Sequence, residues 1–207
     1  MPRSMSGPDQ TLIIACGALA REIREICACN SLDHLTLTCL PADLHNRPSE
    51  IPAAVEACVA KHRPAYARIL IAYGDCGTGG RLAALCDRIG VEMIDAPHCY
   101  AFFEGAEAFA AHPDEIDAFY LTDFLARQFE AFVWKPLGLD RHPDLREVYF
   151  AHYTKLVFLT QTDEPALDIR ARNCAARLGL DYEKRVTGYG DLMNWLSRTK
   201  RSDAAPR

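Results

Sequence analysis

The sequence has no apolar run approaching the roughly 20 residues that a membrane-spanning helix needs. It has no block of lysine and arginine either. Its 23 basic residues face 28 acidic ones, for a net charge of -5. That balance argues against nucleic acid as the main partner. No Pro/Gly/Ser-rich linker divides the 207 residues, and no internal repeat stands out. The opening MPRSMSGPDQ holds one arginine and no apolar stretch, so it does not read as a secretory signal. The expectation is a cytoplasmic protein with no membrane partner. A 49% hydrophobic composition at this length supports a full core. One α/β domain is expected over residues 11–199, with a disordered segment 1–10 and a flexible tail 200–207.

Short apolar runs alternate with helical patterns. TLIIA (Thr11–Ala15), LTLTCL (Leu35–Leu40), ILIAY (Ile69–Tyr73), VEMI (Val91–Ile94), LVFLT (Leu156–Thr160) and Tyr182–Val186 read as strands. Helices are expected over Gly17–Ala28, from Pro48 through Val59, and over Arg81–Ile89, Ala166–Leu178 and Asp191–Arg198. This alternation predicts a three-layer α/β fold. A mostly parallel sheet of about six strands carries helices on both faces. The aromatic region from Asp114 to His152 is expected as a helical insertion between strands four and five.

Cysteine is plentiful, with nine in the chain. A reducing compartment argues against a disulfide framework, so position decides their meaning. Cys16 follows the first strand, Cys76 the third and Cys99 the fourth. Ligands of parallel α/β sheets bind outside the carboxyl ends of the strands. Three cysteines from distant parts of the chain should therefore face one crevice. Cys16 and Cys76 each precede a glycine and a helix, and a helix N-terminus favours a thiolate. Three thiolates repel one another unless a metal neutralises them, and soft sulfur suits zinc or an iron–sulfur cluster. Three protein ligands leave a fourth position open, as in catalytic sites. The other six, Cys27, Cys29, Cys39, Cys58, Cys86 and Cys174, fall inside helical or strand patterns and read as packing.

The stretch YGDCGTGGR looks like a phosphate turn, but it lacks the Lys-Ser/Thr of a P-loop. No glycine stands three residues after Gly79, so a dinucleotide fingerprint fails too. The glycines are expected to bend the backbone around Cys76 or admit a ligand. His45 and Asp75 are the candidate acid–base groups. Arg47, Gly77, Gly79, Tyr100 and Gln161 are candidate substrate contacts at strand ends. His98 neighbours Cys99 and is an alternative fourth ligand. Glu22 and Asp123 are outside candidates.

Five motifs, IIACGALARE, LPADLHNRP, YGDCGTGG, PHCYAFF and TGYGDL, together resemble an uncharacterised bacterial and archaeal family of unknown function. The resemblance runs from Thr11 to Leu192. Members often occur beside corrinoid-dependent methyltransferases acting on methylamines and betaines. It implies one-carbon metabolism with a corrinoid protein or methyltransferase as partner. The resulting expectation is a metal-dependent enzyme or accessory protein of corrinoid-linked methyl transfer, with Cys16, Cys76 and Cys99 as ligands. The alternatives are a [4Fe–4S] protein, acting on a small carboxylate or passing electrons to a corrinoid, and a non-enzymatic module that delivers metal or corrinoid.

Overall fold

The computed structural model describes residues 10–112 and 115–199. The expected disordered start falls outside them except for Gln10, and the expected tail 200–207 falls outside them wholly. The chain divides into two compact units. The first is Met1–Phe102 with Asp191–Arg207, and the second is Phe103–Gly190.

In the first unit, β1 (Thr11–Cys16), β2 (Leu35–Leu40), β3 (Arg68–Ala72) and β4 (Glu92–Met93) form a parallel sheet in the order β2-β1-β3-β4. Every residue of β1 and the last four of β3 are buried. A strand covered on both faces reads as a continuous apolar run, which is why TLIIAC and ILIA were legible. Helices α1 (Ala20–Cys29), α2 (Ile51–His62) and α3 (Arg81–Ile89) connect the strands. From β1 the chain moves outward to β2, then returns past β1 to β3. Right-handed crossovers therefore put α1 on one face and α2 and α3 on the other. The gap between the carboxyl ends of β1 and β3 is the topological switch point, where open α/β sheets bind ligands. The ends are level, with Cys16 opposite Leu40 and Ala15 opposite Ala72.

The second unit corrects the expected single sheet of about six strands. It has a parallel sheet of its own, β5-β6-β7, built from Ala118–Thr122, Lys155–Thr160 and Asp181–Val186. Among the described residues there are thus seven strands in two sheets. β5 lies inside the stretch expected to be helical. Its sequence AFYLT is aromatic and β-branched, which suits a pleated, half-buried surface. Thr122 then ends the strand and caps the helix Asp123–Phe129, accepting from the Leu125 N–H at 3.4 Å. Leu156 and Phe158 on β6 are fully buried, and helix Pro165–Leu178 packs Leu167, Ala171 and Leu178 into the same core.

The strand β7 lies at the edge and carries an ionic network. Lys155 Nζ reaches Glu115 at 2.7 Å and Glu183 at 2.8 Å, while Arg185 bridges Glu104, Glu115 and Glu183. The Tyr120 hydroxyl also donates to Glu115, at 2.7 Å. The Arg185 guanidinium, joined by Lys155 and Tyr120, holds the largely buried Glu115 carboxyl far below the usual carboxylate range. A carboxylate depressed on folding stabilises above its unfolded pKa of about 4.3 and loses that contribution as the pH falls. Glu115→Gln is expected to cost about 2 kcal/mol at neutral pH. The gap to wild type should narrow as the pH drops from about 6 to about 3. Urea unfolding across that range checks it, and a gap that widens on acidification would contradict it.

Candidate functional site

All four strands of the first sheet deliver a polar side chain beyond their carboxyl ends. Cys16 is the last residue of β1, buried and in extended conformation just before a short 3₁₀ turn. His45 sits on the exposed 3₁₀ turn Ala42–Asn46 that follows β2. Tyr73 and Cys76 follow β3, both buried, and Cys99 follows β4.

The loops after β3 and β4 are stitched together. The N–H groups of Asp75 and Cys76 donate to the carbonyls of Ala96 and Pro97, each at 2.9 Å. Two further bonds end on sulfur. Cys99 Sγ accepts from the Gly74 N–H at 3.4 Å, and Cys76 Sγ accepts from the Cys99 N–H at 3.3 Å. The two sulfurs stand 3.2 Å apart. This approach requires glycine at position 74. A Cβ there would lie 2.6 Å from the His98 carbonyl carbon and 2.9 Å from the Cys99 nitrogen. Cys76 itself holds a left-handed φ of 47°, which a side-chain-bearing residue adopts only under constraint.

Cys99 also meets Cys16, so it is the central thiol of three. Hydrogen bonds to the sulfurs of Cys16 and Cys76 keep the Cys99 proton well above the ordinary thiol range. The same contacts work in reverse on its neighbours. Cys99 and the His45 ring pull Cys76 down to about 5, against the opposing push of burial. Cys16 is lowered by Cys99 and by the Ala18 N–H. The bond to Cys76 holds the proton on His45 above its usual range. Three thiols and an imidazole thus meet at one switch point, with the proton favoured on Cys99 and on His45 and disfavoured on Cys76. Tyr73 adds a phenol beside Cys16. Its hydroxyl is buried, and the Cys16 sulfur is the polar neighbour it meets. Burial and the neighbouring cysteines raise its pKa far above the ordinary phenol value, so it remains a donor.

The glycine-rich turn works differently from the expected helix-N-terminus cradle. The Asp75 carboxylate accepts from the Thr78 hydroxyl at 2.6 Å and from the N–H groups of Gly79 and Gly80 at 3.0 and 2.7 Å. These bonds, led by that from Thr78, hold its carboxyl below the usual range. The donors before α3 thus serve Asp75, and Cys76 draws its stabilisation from Cys99 and His45. Gly77 and Gly79 take φ of 84° and 63° and shape the turn.

The other candidates are placed as follows. Arg47 is about half exposed and paired with Asp43 at 3.1 Å and Glu50 at 2.9 Å. The His98 ring stacks on Tyr100 with centroids 4.9 Å apart, and burial lowers its pKa. Glu22 is buried on α1. Gln161 belongs to the second unit, where its carbonyl accepts from the Asp123 N–H at 3.0 Å. Asp123 is fully buried there, accepting from the hydroxyls of Thr160 and Thr162. Of the six cysteines read as packing, Cys86 and Cys174 are buried, and burial raises both to about 11. Cys29 and Cys39 are exposed, so packing does not account for them.

A family model described as Protein of unknown function (DUF1638) matches residues 39–196. The chain belongs to DUF1638. The match contains His45, Tyr73, Cys76 and Cys99, while Cys16 lies ahead of it. No curated protein and no solved structure matches the chain. Sequence reasoning passed over Tyr73, because a tyrosine ending an apolar strand reads as core. Its signal was its place, one residue before the glycine that admits the Cys99 loop.

Gly74→Ala should cost about 3 kcal/mol or prevent folding, because backbone atoms cannot yield to the new Cβ. At Gly79 a Cβ meets nothing within 4 Å, so Gly79→Ala carries only left-handed strain of about 1 kcal/mol. Thermal unfolding of the two variants compares them directly. Equal losses would mean that the close approach at Gly74 is not what fixes the turn.

Proposed function

We propose that the Cys16–Cys76–Cys99 cluster is a soft-metal site and that the protein serves methyl transfer. The observation carrying this reading is the convergence of sulfur from β1, β3 and β4 on the switch point, with His45 from β2 beside it. The donor set suits zinc, which takes thiolate and imidazole ligands. The cluster is contracted, with the Cys76 and Cys99 sulfurs 3.2 Å apart. No group of three or more His, Cys, Asp or Glu among the described residues stands ready for a metal ion. Two thiolates on one tetrahedral zinc lie about 3.8 Å apart, given zinc–sulfur bonds of about 2.3 Å. Cys76 and Cys99, at 3.2 Å, would part by roughly half an ångström on binding, and Cys99 would give up its proton. A [4Fe–4S] cluster places each cysteine on a different iron and needs the sulfurs further apart, so the close pair favours a single ion.

In this reading Cys16, Cys76 and Cys99 are the ligands. His45 occupies the fourth position or holds a proton at its rim. Tyr73 presents its hydroxyl to Cys16 or to a bound oxygen. Bound zinc supplies Lewis-acid activation of a thiol or other nucleophile as methyl acceptor. Corrinoid-linked one-carbon metabolism, with a corrinoid protein or methyltransferase as partner, enters through the motif resemblance. A module that only delivers metal or corrinoid shares the same cluster, and turnover with a methyl-corrinoid protein separates the two.

Anaerobically purified protein should hold about one zinc per chain. Serine at Cys16, Cys76 or Cys99 should each lower occupancy severely, because one missing ligand opens the site. Cys58→Ala and Cys86→Ala should keep the metal and lose about 1 kcal/mol of stability. Elemental analysis of the five variants tests this. Full metal retention in all three serine variants would overturn the proposal.

A further inference from the structure

We infer that Cys76 and Cys99 form a reversible dithiol–disulfide pair, so that a peroxide removes two of the three sulfurs from the cluster. The pair itself stands independently of any metal, and only its consequence for metal content rests on the reading above. Three observations carry it. First, the sulfurs are already 3.2 Å apart, and a disulfide closes them to about 2.05 Å. Second, both sit on loops rather than on strands, so closure needs no break in the sheet. Cys76 lies four residues beyond β3, and Cys99 lies six beyond β4. Third, the loop segment covering the Cys76 sulfur, His98–Tyr100, is only half-buried, so a small oxidant has one short loop to pass on its way to Cys76. No such partner is seen for two of the other cysteines. Cys58 contacts His62 at 3.7 Å, and Cys86 contacts the Met93 sulfur at 4.0 Å.

The chemistry balances with hydrogen peroxide as oxidant. The Cys76 thiolate attacks one peroxide oxygen. An S–O bond forms, the O–O bond breaks, and the departing hydroxide takes a proton to become water. Cys76 is then a sulfenic acid. The Cys99 sulfur attacks Cys76 Sγ, the S–S bond forms and the S–O bond breaks. The second hydroxide leaves with the Cys99 proton as water. The sum is two thiols and one peroxide giving one disulfide and two waters. A small dithiol reverses it by thiol–disulfide exchange. Cys16 stays reduced and keeps the Tyr73 phenol as neighbour.

The test uses full-length protein, reduced and treated with a chelator, then exposed to one equivalent of hydrogen peroxide. Peptide mapping by mass spectrometry should show a Cys76–Cys99 disulfide, with Cys86 and Cys174 still reduced. Dithiothreitol should restore both thiols. In Cys99→Ser the reaction should stop at a Cys76 sulfenic acid, trapped by dimedone, with no disulfide. Zinc-loaded protein with a chromogenic chelator should release metal in step with disulfide formation. A Cys16–Cys99 disulfide, or oxidation spread evenly over the nine cysteines, would overturn the pairing. Failure of zinc to bind, with the disulfide still formed, would sink the metal reading and leave this inference standing. Metal binding without any disulfide would do the reverse.

Discussion

The site depends on how closely the loop after β4 approaches the loop after β3. Two backbone N–H groups and two sulfurs exchange hydrogen bonds there, and Gly74 is the point at which no side chain fits. A buried N–H that donates to sulfur is satisfied, so the loops gain at little polar cost. The same exchange fixes both sulfurs against donors, which favours negative charge on them. Two sulfur acceptors favour the proton on Cys99, while the shared thiol and the His45 ring lower the Cys76 thiol to about 5. Strain at Cys76 follows from the same geometry. A left-handed backbone at a non-glycine residue persists only where its surroundings over-determine it.

The two units use different devices for their buried polar groups. In the first, sulfur and aromatic hydroxyl gather at the carboxyl edge with the His45 ring beside them. In the second, Asp123 and Glu115 are fully engaged by hydroxyls, an amide and cations. A carboxylate so completely occupied pins loops to strands and has little left for a ligand. The Tyr73 hydroxyl is the opposite case. The buried phenol has only the weak sulfur acceptor of Cys16 beside it, which leaves it capacity to donate to a ligand.

Much of this was legible in the sequence. β1, β3 and β6 announced themselves as apolar runs because they are covered on both faces. Cys16, Cys76 and Cys99 stand out by position alone, since Cys16 ends β1 and the other two lie on the loops that follow β3 and β4. β5 was hidden because AFYLT lies among helical residues, and five aromatic-rich positions fit either period. The helix-N-terminus account of Cys76 failed because Asp75, one residue earlier, takes the donors first. Nothing in the sequence tells that a carboxylate will outcompete a thiolate for those N–H groups. The Gly74 approach was equally hidden, as it depends on where the chain returns 25 residues later. The Gly74–Gly80 turn thus wraps its own backbone donors around Asp75 and sets Cys76 against Cys99.

The most direct measurement is X-ray absorption at the metal edge of anaerobically purified full-length protein. The account predicts a first shell dominated by sulfur at about 2.3 Å, three scatterers with one lighter atom beside them. A shell of only nitrogen and oxygen, or the absence of stoichiometric metal, would contradict it.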